Sequence, residues 1–110
     1  MKQKDIYLAN LSPIKGQEQG GLRPVVIISG NSMNDNLGIG IACPISSQIK
    51  NYASCVQLKK NKTNNLKQDS EIISFQVRTI SQKRFIKKIG KITEQELQKV
   101  LAGLYFVFKY

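Results

Sequence analysis

Arg23 is the side chain in this sequence whose neighbours best prepare it to handle an anion. It follows the polar, glycine-rich stretch Gly16-Gln17-Glu18-Gln19-Gly20-Gly21-Leu22 and precedes Pro24 and the β-branched run Val25-Val26-Ile27-Ile28. Glycine takes positive φ without steric penalty and lets backbone approach a ligand closely. Pro24 has a fixed φ and restricts the conformation of the arginine before it. A guanidinium presents a planar fork of donors that matches two phosphate oxygens. Two readings fit the stretch: an anion-handling loop that ends in a held arginine, or an ordinary hairpin loop with a solvated one.

What the sequence lacks narrows the chemistry. There is no histidine, which excludes imidazole-based zinc sites and histidine acid–base catalysis. No convincing carboxylate cluster replaces it, so reaction at an anion is expected to need neither metal nor other cofactor. Cys43 and Cys55 fall on separate candidate strands and read as small buried side chains rather than ligands. The net charge of +10 and a pI near 9.8 favour an acidic partner, nucleic acid first. Lysines cluster at Lys59-Lys60-Asn61-Lys62 and at Lys83-Arg84 with Lys87-Lys88; either cluster is a phosphate-binding surface or a solvated face of a lysine-rich chain.

The elements that would position these groups are mostly short strands. Residues 5–11, 25–28, 39–45, 54–58 and 70–75 read as β, with 25–28 apolar enough to be buried on both faces. Residues 31–36 read as a turn or one helical turn, and 61–65 as an exposed polar loop. The chain closes differently: Thr93-Glu94-Gln95-Glu96 has the form of a capping box. Leu97, Val100, Leu101, Leu104 and Phe108 then recur at helical spacing, predicting an amphipathic helix packed on the sheet, with Gly103 marking close packing. A chain of 110 residues suits one domain, spanning 1–110 without repeat or linker. No apolar run follows Met1-Lys2-Gln3-Lys4 and no segment approaches a membrane span, so a soluble cytoplasmic protein is expected.

Several of these residues recur in order as the motifs of a known family. Leu11-Ser12-Pro13 with Lys15-Gly16, Glu18-Gln19-Gly20-Gly21-Leu22-Arg23-Pro24-Val25-Val26, Pro44-Ile45-Ser46-Ser47, Gln76-Val77-Arg78-Thr79 and Ile89-Gly90-Lys91 together resemble MazF/PemK-type toxins. The resemblance implies a mainly β fold with a C-terminal helix, the small SH3-like barrel shared by MazF, Kid and the gyrase poison CcdB. It implies a sequence-specific, metal-independent endoribonuclease that cuts single-stranded mRNA to 2′,3′-cyclic phosphate and 5′-hydroxyl ends. It also implies a homodimer silenced by a cognate antitoxin with an acidic disordered segment. The rival classes are a same-fold toxin that binds a protein target such as gyrase, and a non-cutting RNA-binding module.

By that resemblance Arg23 and Ser46 are the catalytic pair. Arg23 would stabilise charge on the pentacoordinate phosphorus, since a guanidinium holds its proton too firmly to serve as a free base. Ser46 stands where the family usually has threonine and lacks the methyl that fixes a rotamer, which makes neighbouring Ser47 a rival. Kid-type members carry an acid before the glutamine of Gln-x-Arg-Thr, whereas Phe75 occupies that place here. Glu18 is then the carboxylate proposed as base or as a polar contact. Residues 12–22 and 47–52, including Glu18, Gln19, Gly20, Ser47 and Lys50, are expected to read splayed bases. Lys59, Lys60, Lys83 and Arg84 are expected to hold phosphates, while Gln76 and Arg78 shape the groove, Arg78 serving alternatively as an ion-pair partner.

Overall fold

The computed structural model describes residues 1–12, 16 and 20–110. Its centre is an antiparallel arrangement around one strand whose second half is fully buried. β1 (Asp5–Asn10) pairs with β2 (Leu22–Ile27), Ile6 opposite Val26 and Ala9 opposite Arg23. β2 in turn pairs with β3 (Ile39–Ser46), Val25 opposite Pro44 and Ile27 opposite Ala42, after the short helix α1 (Asn31–Leu37). Alternation on β2 sends Val26, and beyond it Ile28, into a core with Ile6, Cys43, Ile45 and Ile72; Val25 and Ile27 enter a second core with Ala9, Leu11, Ala42 and Ile80. The β-branched run is therefore buried on both faces, as its composition predicts.

The other strands complete the frame. β4 (Val56–Leu58), β5 (Ser70–Ile72), β6 (Arg78–Ser81) and β7 (Phe85–Lys91) give a seven-stranded sheet in the order β4-β5-β3-β2-β1-β7, with β6 against the first half of β3. β3 changes partner midway: residues 39–42 pair with β6, and Ile45 and Ser46 pair with β5. Pro44, which has no N–H to offer, lies at that changeover and only accepts, from Ile73 N at 2.9 Å. The closing helix α2 (Glu94–Lys109) begins with the expected capping box: Thr93 Oγ1 accepts from Glu96 N at 3.1 Å, and Thr93 N donates to Glu96 Oε1 at 2.8 Å.

The structure departs from the sequence reading in four places. The strand expected over 70–75 stops at Ile72 and turns through a 3-10 turn, Ser74–Gln76, because the buried Ser74 Oγ donates to Ser54 O at 2.6 Å. Residues 31–36 continue into the full helix α1, closed by Gly38 at φ 65°. β6 and β7 were not anticipated as strands: in β7, register shifts at Ile6/Tyr7 and Leu8/Ala9 leave Ile89 and Ile86 without partners in the β1 register, which breaks the two-residue alternation. Finally, Leu97 and Val100 are buried in the core, but Leu101 at mid-helix and Phe108 near the helix end stay exposed.

Cys43 lies in the core and burial pushes its thiol up to about 12, so it is inert packing; burial also raises the half-exposed Cys55. Gly103 marks close packing of α2 on the turn before β4: a Cβ there would lie 2.2 Å from the Ser54 carbonyl oxygen. Gly103→Ala gains about 1 kcal/mol of helix propensity but forces backbone apart, a strain of typically 1–3 kcal/mol or more. Net destabilisation is expected, with Tm lowered by roughly 5–10 °C. A thermal melt that shows the variant unchanged or more stable would contradict this packing.

Candidate active site

Where β2 begins and β3 ends, the frame opens into a cleft of about 440 Å³. Its lining includes Leu8, Arg23, Pro24, Ile45 and Ser47, with Lys67 and Gln68 before β5 and Lys87 and Lys88 on β7. Three lysines and one arginine thus face a space floored by apolar side chains, an arrangement that attracts an extended polyanion. The loop ahead of β5 keeps its shape through Asn64, whose buried side chain accepts from Asn61 N at 3.0 Å and Leu66 N at 3.1 Å and donates to Lys59 O at 2.9 Å.

Arg23 is half-buried and held. Its Nε donates to Gly20 O at 3.1 Å, so among the described residues its terminal nitrogens remain to meet an anion. The loop before it is fastened at both stems. Gly21 at φ 71° accepts through its carbonyl from Leu11 N at 2.9 Å. Arg84 Nη1 donates to Asn10 O at 3.1 Å and to Ser12 O at 2.6 Å. Arg84, expected on phosphate, therefore also clamps the loop base. Glu18 and Gln19 lie outside the described residues.

Two geometric relations single out the paired serines. The β2–β3 pairing ends with Val25 opposite Pro44, so Arg23 and Ser46 each lie two residues beyond the last pair, at the adjoining ends of neighbouring strands. Ser46 is buried, and its Oγ accepts from Gln48 N at 3.1 Å, a bond that fixes the rotamer in place of a threonine methyl and leaves the hydroxyl proton to donate. Ser47, exposed, falls on the alternate face and lines the cleft beside Arg23.

The register also reveals a residue that sequence reasoning missed. Ser46 pairs with Glu71 on β5, and Glu71 pairs with Gln57 on β4. Ser46, Glu71 and Gln57 form one cross-strand row. The buried Glu71 carboxylate accepts from Lys50 N at 2.9 Å and Asn51 N at 3.2 Å. No local motif marks Glu71, since its importance comes from strand pairing alone.

The remaining candidates scatter. Lys50, Lys59, Lys60 and Lys83 are exposed, none of them on the cleft wall. Lys67, Lys87 and Lys88 take that place, the last also pairing with Asp5 Oδ1 at 3.2 Å. Gln76 lies in the 3-10 turn after β5, and Arg78 lines a separate hollow with Ser29, Leu104 and Phe108. Neither of the ion pairs found among the described residues involves Arg78.

Comparison with known proteins agrees with this architecture. Residues 2–108 match the family described as PemK-like, MazF-like toxin of type II toxin-antitoxin system. The chain is 35% identical over 102 residues to Endoribonuclease MazF of Staphylococcus saprophyticus subsp. saprophyticus, covering 91% of this chain and 84% of that protein. The crystal structure of MazF from Deinococcus radiodurans superposes with a TM-score of 0.86 at 22% identity, covering 100% of this chain and 97% of that one. An endoribonuclease in complex with its cognate antitoxin, from a mycobacterial species, superposes with a TM-score of 0.81 at 15% identity, covering 98% and 94%. These structures share the SH3-like fold expected from the sequence, although here the path of strands from β4 to β7 does not close on itself. With nearly its whole length matched, the chain belongs to the PemK-like, MazF-like toxin family of type II toxin–antitoxin systems.

Proposed function

We propose that this protein is the toxin of a toxin–antitoxin pair and a sequence-specific endoribonuclease that cuts single-stranded mRNA, with Arg23 and Ser46 acting at the scissile phosphate. The observation that carries the reading is Arg23 on a cleft lined by Lys67, Lys87 and Lys88, with Ser46 buried at the end of the neighbouring strand β3 beside the cleft-lining Ser47. In the reaction the 2′-hydroxyl loses its proton and attacks phosphorus, the bond to the 5′-oxygen breaks, and that oxygen takes up a proton. The products are a 2′,3′-cyclic phosphate and a 5′-hydroxyl. The terminal nitrogens of Arg23 stabilise the charge that grows on the equatorial oxygens, and the Ser46 hydroxyl donates to the phosphate. Glu18 is the residue we assign to accept the 2′-hydroxyl proton. Protein groups thus accept the 2′-hydroxyl proton and meet the charge on the phosphate, water supplies the proton to the departing 5′-oxygen, and no cofactor is invoked.

Lys67, Lys87 and Lys88 are placed to hold neighbouring phosphates without reading sequence. Residues 12–22 and 47–52 read splayed bases around the cleft. An acidic segment of the antitoxin would compete for the same positive surface; the mycobacterial endoribonuclease, for its part, is seen in complex with its cognate antitoxin. Among the described residues no helix is long and apolar enough to cross a membrane, and we place the protein's action in the cytoplasm, where its mRNA substrate is.

A second copy covers the end of α2 in this reading. Tyr105 is 66% exposed, Phe108 79% and Tyr110 83%, a concentration of aromatic surface that a lone domain in water would bury. Phe108 also borders the hollow that contains Arg78. A homodimer paired through this face would cover the aromatic end of each α2. Sedimentation at micromolar protein should show twice 12.4 kDa, falling toward the monomer in Phe108→Asp; a wild-type monomer would contradict the pairing.

Arg23→Ala should slow cleavage on the order of 10²–10³-fold, the usual loss for one transition-state donor. Arg23→Lys should restore little, because a point charge lacks the planar fork. Ser46→Ala should slow cutting while an uncleavable RNA with 2′-deoxy substitution binds as before, and Ser46→Thr should keep near-normal rates. If Ser47→Ala is the damaging change and Ser46→Ala is silent, the catalytic hydroxyl is the one facing the cleft. If none of these changes alters RNA cleavage, yet Arg23→Ala abolishes toxicity in cells, the target is not RNA and the nuclease reading is wrong.

A further inference from the structure

A carboxylate buried to 1% exposure ordinarily demands a cation, yet neither ion pair among the described residues involves Glu71. Its charge is spent on backbone instead. Oε1 accepts from Lys50 N at 2.9 Å and Oε2 from Asn51 N at 3.2 Å, so both oxygens of one carboxylate grip consecutive amides of the segment that follows Ser46 and Ser47. Charge-assisted bonds of this kind are about twice as strong as neutral ones. Asn51 takes φ 60°, a left-handed corner that asparagine tolerates, and its Oδ1 receives a hydrogen bond from Gln57 Nε2. Gln48 N meets Ser46 Oγ. Oxygen atoms of β3 and β5, with Gln57 of β4, therefore fasten the backbone of residues 48–51 over the sheet, while Ser47, Ile49, Lys50 and Tyr52 keep exposed side chains.

We propose that Glu71 is a positioning residue for RNA specificity: by holding the amides of Lys50 and Asn51 it fixes the shape in which residues 47–52 meet the bases beside the scissile phosphate. This inference rests on the reading of the protein as a ribonuclease whose 47–52 segment contacts bases. Glu71 itself never touches RNA, since the segment it holds covers it. Its substitution should therefore change which sequences are cut, and how tightly, before it changes the rate on the best site. A purely structural role would lower stability and all cleavage together.

The test pairs Glu71→Gln with Gln57→Ala in the full chain. Glutamine offers one acceptor oxygen and a donor group where two acceptors stood, so one loop amide loses its partner without a change in side-chain size. Gln57→Ala removes only the exposed contact to Asn51 and leaves no buried group unpaired. Amide exchange of Lys50 and Asn51 is read by NMR, and cleavage sites and kinetics are mapped on a long RNA in parallel with wild type. Expected in Glu71→Gln are exchange at one or both amides faster by about tenfold, a broadened set of cleaved sequences, and KM raised several-fold with kcat on the best site little changed. Gln57→Ala should shift the same readouts in the same direction but less. Unchanged exchange, or faster exchange with an unaltered cleavage profile and KM, would overturn the assignment of Glu71 while leaving the nuclease reading intact. Wild-type protein that leaves the RNA uncut would instead remove the ribonuclease reading, and the specificity role with it.

Discussion

The register of β2 is the constraint on which the rest of the site depends. Val25, Val26, Ile27 and Ile28 are buried on both sides of the sheet, in two separate cores. A slip of one residue would send each into the wrong core, and every side chain beyond the run would change face with it. Arg23 is two residues upstream of that lock. Its placement on the cleft follows from hydrophobic packing further along the same strand. Pro24 stiffens the short connection, so little of the order created in the core is lost before the guanidinium.

Polar groups then convert a fixed sheet into fixed loops. The segments around the cleft have few apolar side chains to bury, and each is instead tied by a buried acceptor that meets backbone N–H groups. Asn64 holds the turn ahead of Lys67, Glu71 holds Lys50 and Asn51, and Ser46 holds Gln48. Such groups are costly to bury unless satisfied, so each favours one loop geometry over its alternatives. On the far stem Arg84 gives its guanidinium to the carbonyls of Asn10 and Ser12. The loop residues that face RNA in the proposed reading are thereby free to vary in side chain while their backbone stays put.

How much of this could be read from residues alone depended on whether the signal was local. The capping box at Thr93, the doubly buried run of β2 and the Arg23-Pro24 junction are encoded within a few residues, and all three were legible. β7 was not, because a bulge next to Leu8 spoils its alternation and two adjacent lysines look like loop. Glu71 and Lys67 were invisible for a different reason. Strand pairing brings Glu71 to Ser46 and folds Lys67 toward Arg23 across a wide sequence separation, and no spacing rule anticipates that. The aromatic end of α2 shows a third limit: periodicity identified the helical face but could not tell a sheet from a second copy as its cover.

The central claim is that protein side chains alone drive attack of the 2′-hydroxyl on the neighbouring phosphorus. The most direct measurement incubates purified protein with a long single-stranded RNA in excess EDTA and determines the chemistry of both new ends. The account predicts undiminished cleavage that leaves a 2′,3′-cyclic phosphate on one fragment and a 5′-hydroxyl on the other. Activity that disappears in EDTA, returns with magnesium and leaves 5′-phosphate ends would contradict it.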